Sequence, residues 1–187
     1  VLKEWEEDCL NWCYYRCEDG RLGDQKYTDK WKQSYSCVHE SENLGVGAAP
    51  WNLHQYRISR NKDREIYMEY RGRKYPLVFY HFEGMKYLDN GSIYLSIWKP
   101  EAGGMGRKIR LIYGAYIRRV LSVRMFLARA YHVTFEQMQV DHTLYFEGER
   151  SFKQLCKEQG VLDGSRKWFY NRRNNIVFVN KKAVKLR

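Results

Sequence analysis

The sequence predicts an α/β chain, on three observations. Apolar residues recur at helical spacing over residues 2–17 and again over 107–131. Between these stretches, residues 64–82 read as a hairpin, with a strand over 64–70, a turn at Arg71-Gly72-Arg73-Lys74 and a second strand over 75–82. Within that second strand Leu77-Val78-Phe79-Tyr80 is an unbroken apolar run, the pattern of a strand covered on both faces. The chain has 187 residues and is 44% hydrophobic, which allows a real core and excludes wholesale disorder.

The elements follow in chain order. In the first helix Leu2, Trp5, Cys9, Trp12, Cys13 and Tyr14 alternate with acidic residues. Cys9, Cys13 and Cys17 repeat every four residues and so share one helix face. Three thiols on one straight helix cannot close a tetrahedral zinc site unaided, so small core residues are favoured over metal ligands. The segment from Glu18 to Gly23 reads as a turn whose two glycines stop the helix, with Asp24 placed to cap a second helix over 24–33. A short strand is expected over 35–39, a small-residue loop over 43–50 and a helical turn over 51–56. His81 falls at the carboxyl end of the apolar run, where open α/β sheets place ligands. Residues 86–106 read as loop. In the long helix Ile109, Ile112, Tyr116, Val120, Val123 and Leu127 form one stripe. Arg107, Arg118 and Arg129 are spaced by 11, about three turns, and align on the other side. A further helix is expected over 149–159, and a short strand or basic tail over 175–185. No internal repeat or low-complexity tract is present.

The net charge is +11 and unevenly placed. Residues 1–106 hold 15 Lys/Arg against 16 Asp/Glu, and residues 107–187 hold 18 against 6. A basic region so confined suggests an anionic partner, such as a membrane surface, a phosphorylated acceptor or nucleic acid. Five cysteines, an odd count without a secretory leader, predict a reducing, cytoplasmic compartment. No apolar run reaches the roughly 18 residues of a membrane span. The chain opens Val-Leu-Lys-Glu-Trp and reads as cut from something longer.

Three clusters carry candidate chemistry. They are Gly-Asp-Gln-Lys-Tyr-Thr-Asp-Lys-Trp at 23–31, Gly-Val-Gly-Ala-Ala-Pro-Trp-Asn-Leu at 45–53 and Pro-Leu-Val-Phe-Tyr-His-Phe-Glu-Gly at 76–84. Singly, each is an ordinary helix start, loop or strand end. As an ordered set they offer a carboxylate and an amide, then a small-residue loop leading to Trp-Asn, then an imidazole. The set resembles the second half of bacterial GT-A-type glycosyltransferases, similar to glycosyltransferase family 8 and to capsular or lipopolysaccharide sugar transferases. The likeness covers residues 5–85.

The resemblance implies a fold and a set of roles. The fold would be the carboxyl-terminal half of a GT-A-like nucleotide-sugar transferase, a mixed sheet with flanking helices, in residues 1–90. A basic, mainly helical extension would follow over 91–187. Asp24 would match the family's sugar-binding aspartate and Gln25 the amide near the anomeric centre. His81 would help ligate a divalent cation, Mn²⁺ or Mg²⁺, on the donor's diphosphate; imidazole suits Mn²⁺ among the harder metals. Gly84 would let the main chain approach the phosphates, and Trp51 and Asn52 would contact donor or acceptor. The family's Lys-Pro-Trp after the closing glycine is replaced by Met85-Lys86-Tyr87-Leu88, where Lys86 would meet a phosphate. The family's Asp-x-Asp motif is absent, so the amino-terminal nucleotide-gripping half is an expected partner.

The expected function is therefore sugar transfer from a nucleotide-sugar donor to a saccharide or lipid-linked acceptor, at the cytoplasmic face of a membrane. Asp24, Gln25 and His81 should then converge. Trp5 and Trp12 should lie on an exposed apolar face, and this fragment alone should be inactive. The helix over 107–131 either holds anionic lipid by its arginines or simply packs on the core. A rival reading is a nucleic-acid module built on Arg118-Arg119, Arg166-Lys167 and Arg172-Arg173 with Trp168, Phe169 and Tyr170 between. No named nucleic-acid motif supports it. A catalytically inactive scaffold is the third reading.

Overall fold

The computed structural model of the chain describes residues 1–144, 168–172 and 175–179, and the helix expected over 149–159 lies outside them. The chain is a mixed α/β protein of helices and small antiparallel sheets, in two compact units, Val1–Glu42 and Asn43–Arg187.

The first unit opens with α1 (Leu2–Asn11), shorter than the periodicity over 2–17 predicts. The helix stops because Trp12 turns to extended backbone and buries its ring, roofed by the Arg21 guanidinium at 4.7 Å. The aromatic run that follows has low helix propensity. Cys13 and Cys17 are thus off the helix and exposed, and only Cys9 is partly buried; the shared cysteine face does not form. Trp5 is half-buried, edge-on to Trp31 at 6.1 Å, so the expected exposed Trp5–Trp12 face is absent and Leu2, Leu10 and Tyr15 are exposed instead. Asp19 and Gly20, both at positive φ, turn the chain between bridged Glu18 and Arg21. A 3₁₀ segment (Gln25–Lys30) runs into the one-turn α2 (Trp31–Ser34). The strand expected over 35–39 does not form. The Tyr35 hydroxyl donates to Glu4 at 2.7 Å, which holds that carboxyl below its usual range.

Among the described residues the second unit holds two sheets. The first is β1 (Arg57–Arg60), β2 (Ile66–Tyr70) and β3 (Arg73–Pro76), all antiparallel, with β1 an addition to the expected hairpin. The turn is two residues, Arg71 and Gly72, both at positive φ, which matches strand twist. The second sheet orders β4 (Lys86–Tyr87), β5 (Ile93–Tyr94), β7 (Ile176–Val179) and β6 (Trp168–Asn171), again antiparallel. It therefore takes strands from both sides of position 90, and two of them lie in the stretch expected to be loop.

The helix α3 (Met105–Tyr131) packs against β1. Its buried stripe is Met105, Ile109, Ile112, Tyr113 and Ile117, rotated from the expected line. Tyr113 turns inward because its hydroxyl has buried partners. It lies 2.9 Å from the Tyr80 hydroxyl and donates to the Leu95 carbonyl at 3.2 Å. Tyr116 is left 38% exposed, stacked on Phe82 at 3.9 Å, while Val120 is half-buried and Val123 exposed. Arg107, Arg118 and Arg129 are all exposed, as the 11-residue spacing predicts. Among the described residues no helix is long and apolar enough to cross a membrane.

The run Leu77-Val78-Phe79-Tyr80 departs most from expectation. It is not a covered strand: Val78 is 67% and Phe79 58% exposed. The amides of Val78 and Phe79 both donate to the Gly45 carbonyl at 3.0 Å, and that of His81 to the Ala48 carbonyl at 2.8 Å. The segment lies along the 45–48 loop, joined by one parallel bridge between Ala48 and Tyr80. Only a glycine fits at Gly45, where an added Cβ would sit 1.8 Å from the Pro76 carbonyl oxygen. His81 therefore sits on an irregular segment rather than at the end of a parallel strand, because the described sheets are antiparallel.

Candidate functional site

The 45–53 loop and the 76–84 segment position the site. Ala48, Ala49 and Pro50 are buried, so the loop's main chain is held from below. Asn52 fastens it: its Oδ1 accepts from the Ala49 amide at 2.9 Å and its Nδ2 donates to the Gly47 carbonyl at 2.8 Å. Both polar ends of Asn52 are thus taken up by the loop, so it is a positioning residue that sets Trp51 on the surface. On the neighbouring segment Tyr80 is buried and His81 points out, its side chain half exposed.

Trp51 and His81 meet edge to face, ring centroids 5.5 Å apart at 79°. Phe79 flanks the imidazole at 6.4 Å. His81 Nε2 lies 4.0 Å from a Glu83 carboxylate oxygen. The Trp98 amide donates to the Pro50 carbonyl at 3.2 Å, which brings a 63% exposed indole into the same neighbourhood. Exposed aromatic faces beside an imidazole and a carboxylate combine an apolar platform with donors and acceptors.

Other expected residues stand as follows. Gly84 has φ +69°, and a Cβ there would sit 2.4 Å from Ser96 Oγ, so local packing already requires the glycine. Lys86 is exposed on β4, opposite Tyr94 in the register. Asp24 and Gln25 belong to the first unit and are exposed. The Asp24 side chain makes no capping bond; its carbonyl instead accepts from the Trp5 indole at 3.0 Å. Arg166, Lys167 and Arg173 of the nucleic-acid reading lie outside the described residues.

Among the described residues the carboxylate beside His81 is that of Glu83. Among the described residues no group of three or more His, Cys, Asp or Glu is placed to hold an ion. A Mn²⁺ or Mg²⁺ at His81 would need its remaining ligands from diphosphate oxygens, water or other protein groups.

Sequence reasoning missed Phe79 and Trp98 as surface aromatics. For Trp98 the signal was present: Ile93, Leu95 and Ile97 are buried, and period two puts Trp98 outward.

Two curated relatives from Bacillus subtilis are similar to this chain. The uncharacterized protein YfnD is 34% identical over 83 residues, 43% of this chain and 25% of its own length. The uncharacterized protein YfnF is 35% identical over 85 residues, 46% of this chain and 27% of its own length. The aligned part spans about a quarter of each relative. No family model matches the chain, and no solved structure matches it.

Proposed function

We propose that this chain is part of a nucleotide-sugar-dependent glycosyltransferase of GT-A type. It would serve transfer to a saccharide or lipid-linked acceptor in cell-surface polysaccharide synthesis, at the cytoplasmic face of a membrane. The observation that carries the reading is the exposed Trp51–His81 pair with Phe79 beside it, in two of the three segments that bear the family likeness. Sugar rings have apolar C–H faces and a rim of hydroxyls. Aromatic faces suit the first, and the His81 imidazole and Glu83 carboxylate suit the second. The divalent cation, with His81 as one ligand, belongs to the same proposal.

Saccharide binding by the chain tests it, measured by saturation-transfer NMR with a panel of oligosaccharides. Binding should be detected, and Trp51→Ala should weaken it by about fivefold, as losing one aromatic face worth on the order of 1 kcal/mol implies. Asn52→Ala should weaken it too, through a loosened loop. The absence of saccharide binding, or equal loss on Trp5→Ala in the other unit, refutes the assignment. Single-stranded oligonucleotide binding without saccharide binding favours the nucleic-acid rival.

A further inference from the structure

A cavity of about 510 Å³ opens between β1 and the first turn of α3. Its wall carries three cations, Arg57, Arg107 and Lys108, against one carboxylate, Glu69, leaving a charge of +2. None of its residues belongs to the Trp51–His81 surface, so it stands or falls separately from the sugar-transfer reading.

Lys108 is the unusual member. It is only 6% exposed, and its ammonium donates to two neutral groups, the Leu53 and His54 carbonyls, both at 3.2 Å. Among the described residues no carboxylate pairs with it. A buried charge held only by neutral partners is costly, and desolvation lowers the lysine's pKa accordingly. Arg57 and Arg107 are exposed and likewise make no ion pair among the described residues. Glu69 faces Arg57 across the β1–β2 register without bonding to it. His54 adds a buried ring nitrogen, Nδ1, that has no hydrogen-bond partner among the described residues. Gly104 begins α3 in the left-handed region and no side chain caps the helix; the Arg107 amide donates to the Gly104 carbonyl at 3.1 Å, and the helix's positive end faces the cavity.

We propose that this cavity binds a phosphate ester, its oxygens set between Arg57, Arg107 and Lys108 at the head of α3. The anion would compensate the buried ammonium, and the two arginine forks suit phosphate oxygens. The volume falls within the range of small-molecule sites, so more than the bare phosphate fits. The phosphate belongs either to a soluble diphosphate or to a lipid headgroup.

Calorimetric titration of the chain with pyrophosphate at low salt tests the first source. Co-sedimentation with phosphatidylcholine vesicles containing phosphatidic acid tests the second. Saturable binding is expected in at least one arm. Arg57→Ala/Arg107→Ala should weaken it at least tenfold without moving the unliganded melting temperature, because both side chains are exposed. Arg73→Ala/Arg119→Ala, exposed and away from the cavity lining, should change it less than twofold. Lys108→Met should also weaken it; should that variant fail to fold, the arginine pair still decides. No binding in either arm, or equal losses from the two arginine pairs, overturns the proposal, the latter by showing diffuse basic charge.

Discussion

Tyr113→Phe removes one oxygen from the centre of the second unit. Tyr113 is fully buried, donates to the Leu95 carbonyl at 3.2 Å and lies 2.9 Å from the Tyr80 hydroxyl. With its proton committed to Leu95, Tyr113 accepts from Tyr80. Deleting the oxygen strands two buried groups, a phenol and a carbonyl. Each unmatched buried group costs about 1–3 kcal/mol, so the variant should lose roughly 3 kcal/mol of stability. Tyr80→Phe deletes the outer donor only, leaving the bond to Leu95 intact, and should lose about 1 kcal/mol. The double variant strands only the carbonyl and should lose roughly 1.5 kcal/mol, less than Tyr113→Phe alone and about 2.5 kcal/mol less than the sum of the singles. Urea denaturation followed by circular dichroism, with unchanged slope, reads all three. A Tyr113→Phe cost equal to or below that of Tyr80→Phe refutes the direction of the chain of hydrogen bonds.

Burial raises the pKa of Tyr80, Tyr113 and Tyr170 and pushes Tyr87 up to about 12. The folded state thus holds these protons to higher pH than the unfolded chain does. Their contribution is fully present below about pH 10 and falls as pH rises towards 12, by about 1.4 kcal/mol per pH unit for each tyrosine still protonated. Denaturation midpoints measured from about pH 8 to pH 12 check this. Gly45→Ala should destabilise by about 2–4 kcal/mol, because its Cβ would meet the Pro76 carbonyl oxygen at 1.8 Å. Gly47→Ala, with nothing within 4 Å of the new Cβ, should cost about 1 kcal/mol or less in the same melts. Binding to phosphatidylglycerol vesicles should rise with anionic content and fall with salt, as Arg107, Arg118 and Arg129 are all exposed. Charge reversal of the three should remove most of it at about 1 kcal/mol per residue; equal binding to neutral vesicles counts against a membrane role.

The long helix and the hairpin were legible because each is a local pattern. Eleven-residue spacing fixed the exposed arginines, and the residues around Arg71-Gly72 marked the reversal. The apolar run at 77–80 misled because apolarity signals burial only where something covers it, and here Gly45 and Ala48 cover the main chain while Val78 and Phe79 stay outside. The second sheet could not be read locally. Its central contact pairs Ile93 with Val177, 84 positions apart, and its strands β4 and β5 are two residues each. Tyr113 rather than Tyr116 faces inward for a similar reason: helical spacing permits either, and the buried partners Tyr80 and Leu95 decide.

The same buried contact bears on the candidate site. At the Ala48 bridge Tyr80 is buried while its neighbour His81 stays half exposed, so the contacts that hold Tyr80 inward also place His81. Tyr80 is held by Tyr113 through its hydroxyl and by Phe82 and Tyr113 through ring contacts at 4.8 and 5.4 Å. His81 is in turn located by the hydrogen bond its amide donates to the carbonyl of Ala48, the residue that bridges Tyr80. The imidazole's place beside Trp51 thus depends on a tyrosine of α3 that touches neither ring. A slip of one residue along 77–82 would bury the histidine and expose Tyr80, so the hydroxyl pair protects the register on which the aromatic surface rests.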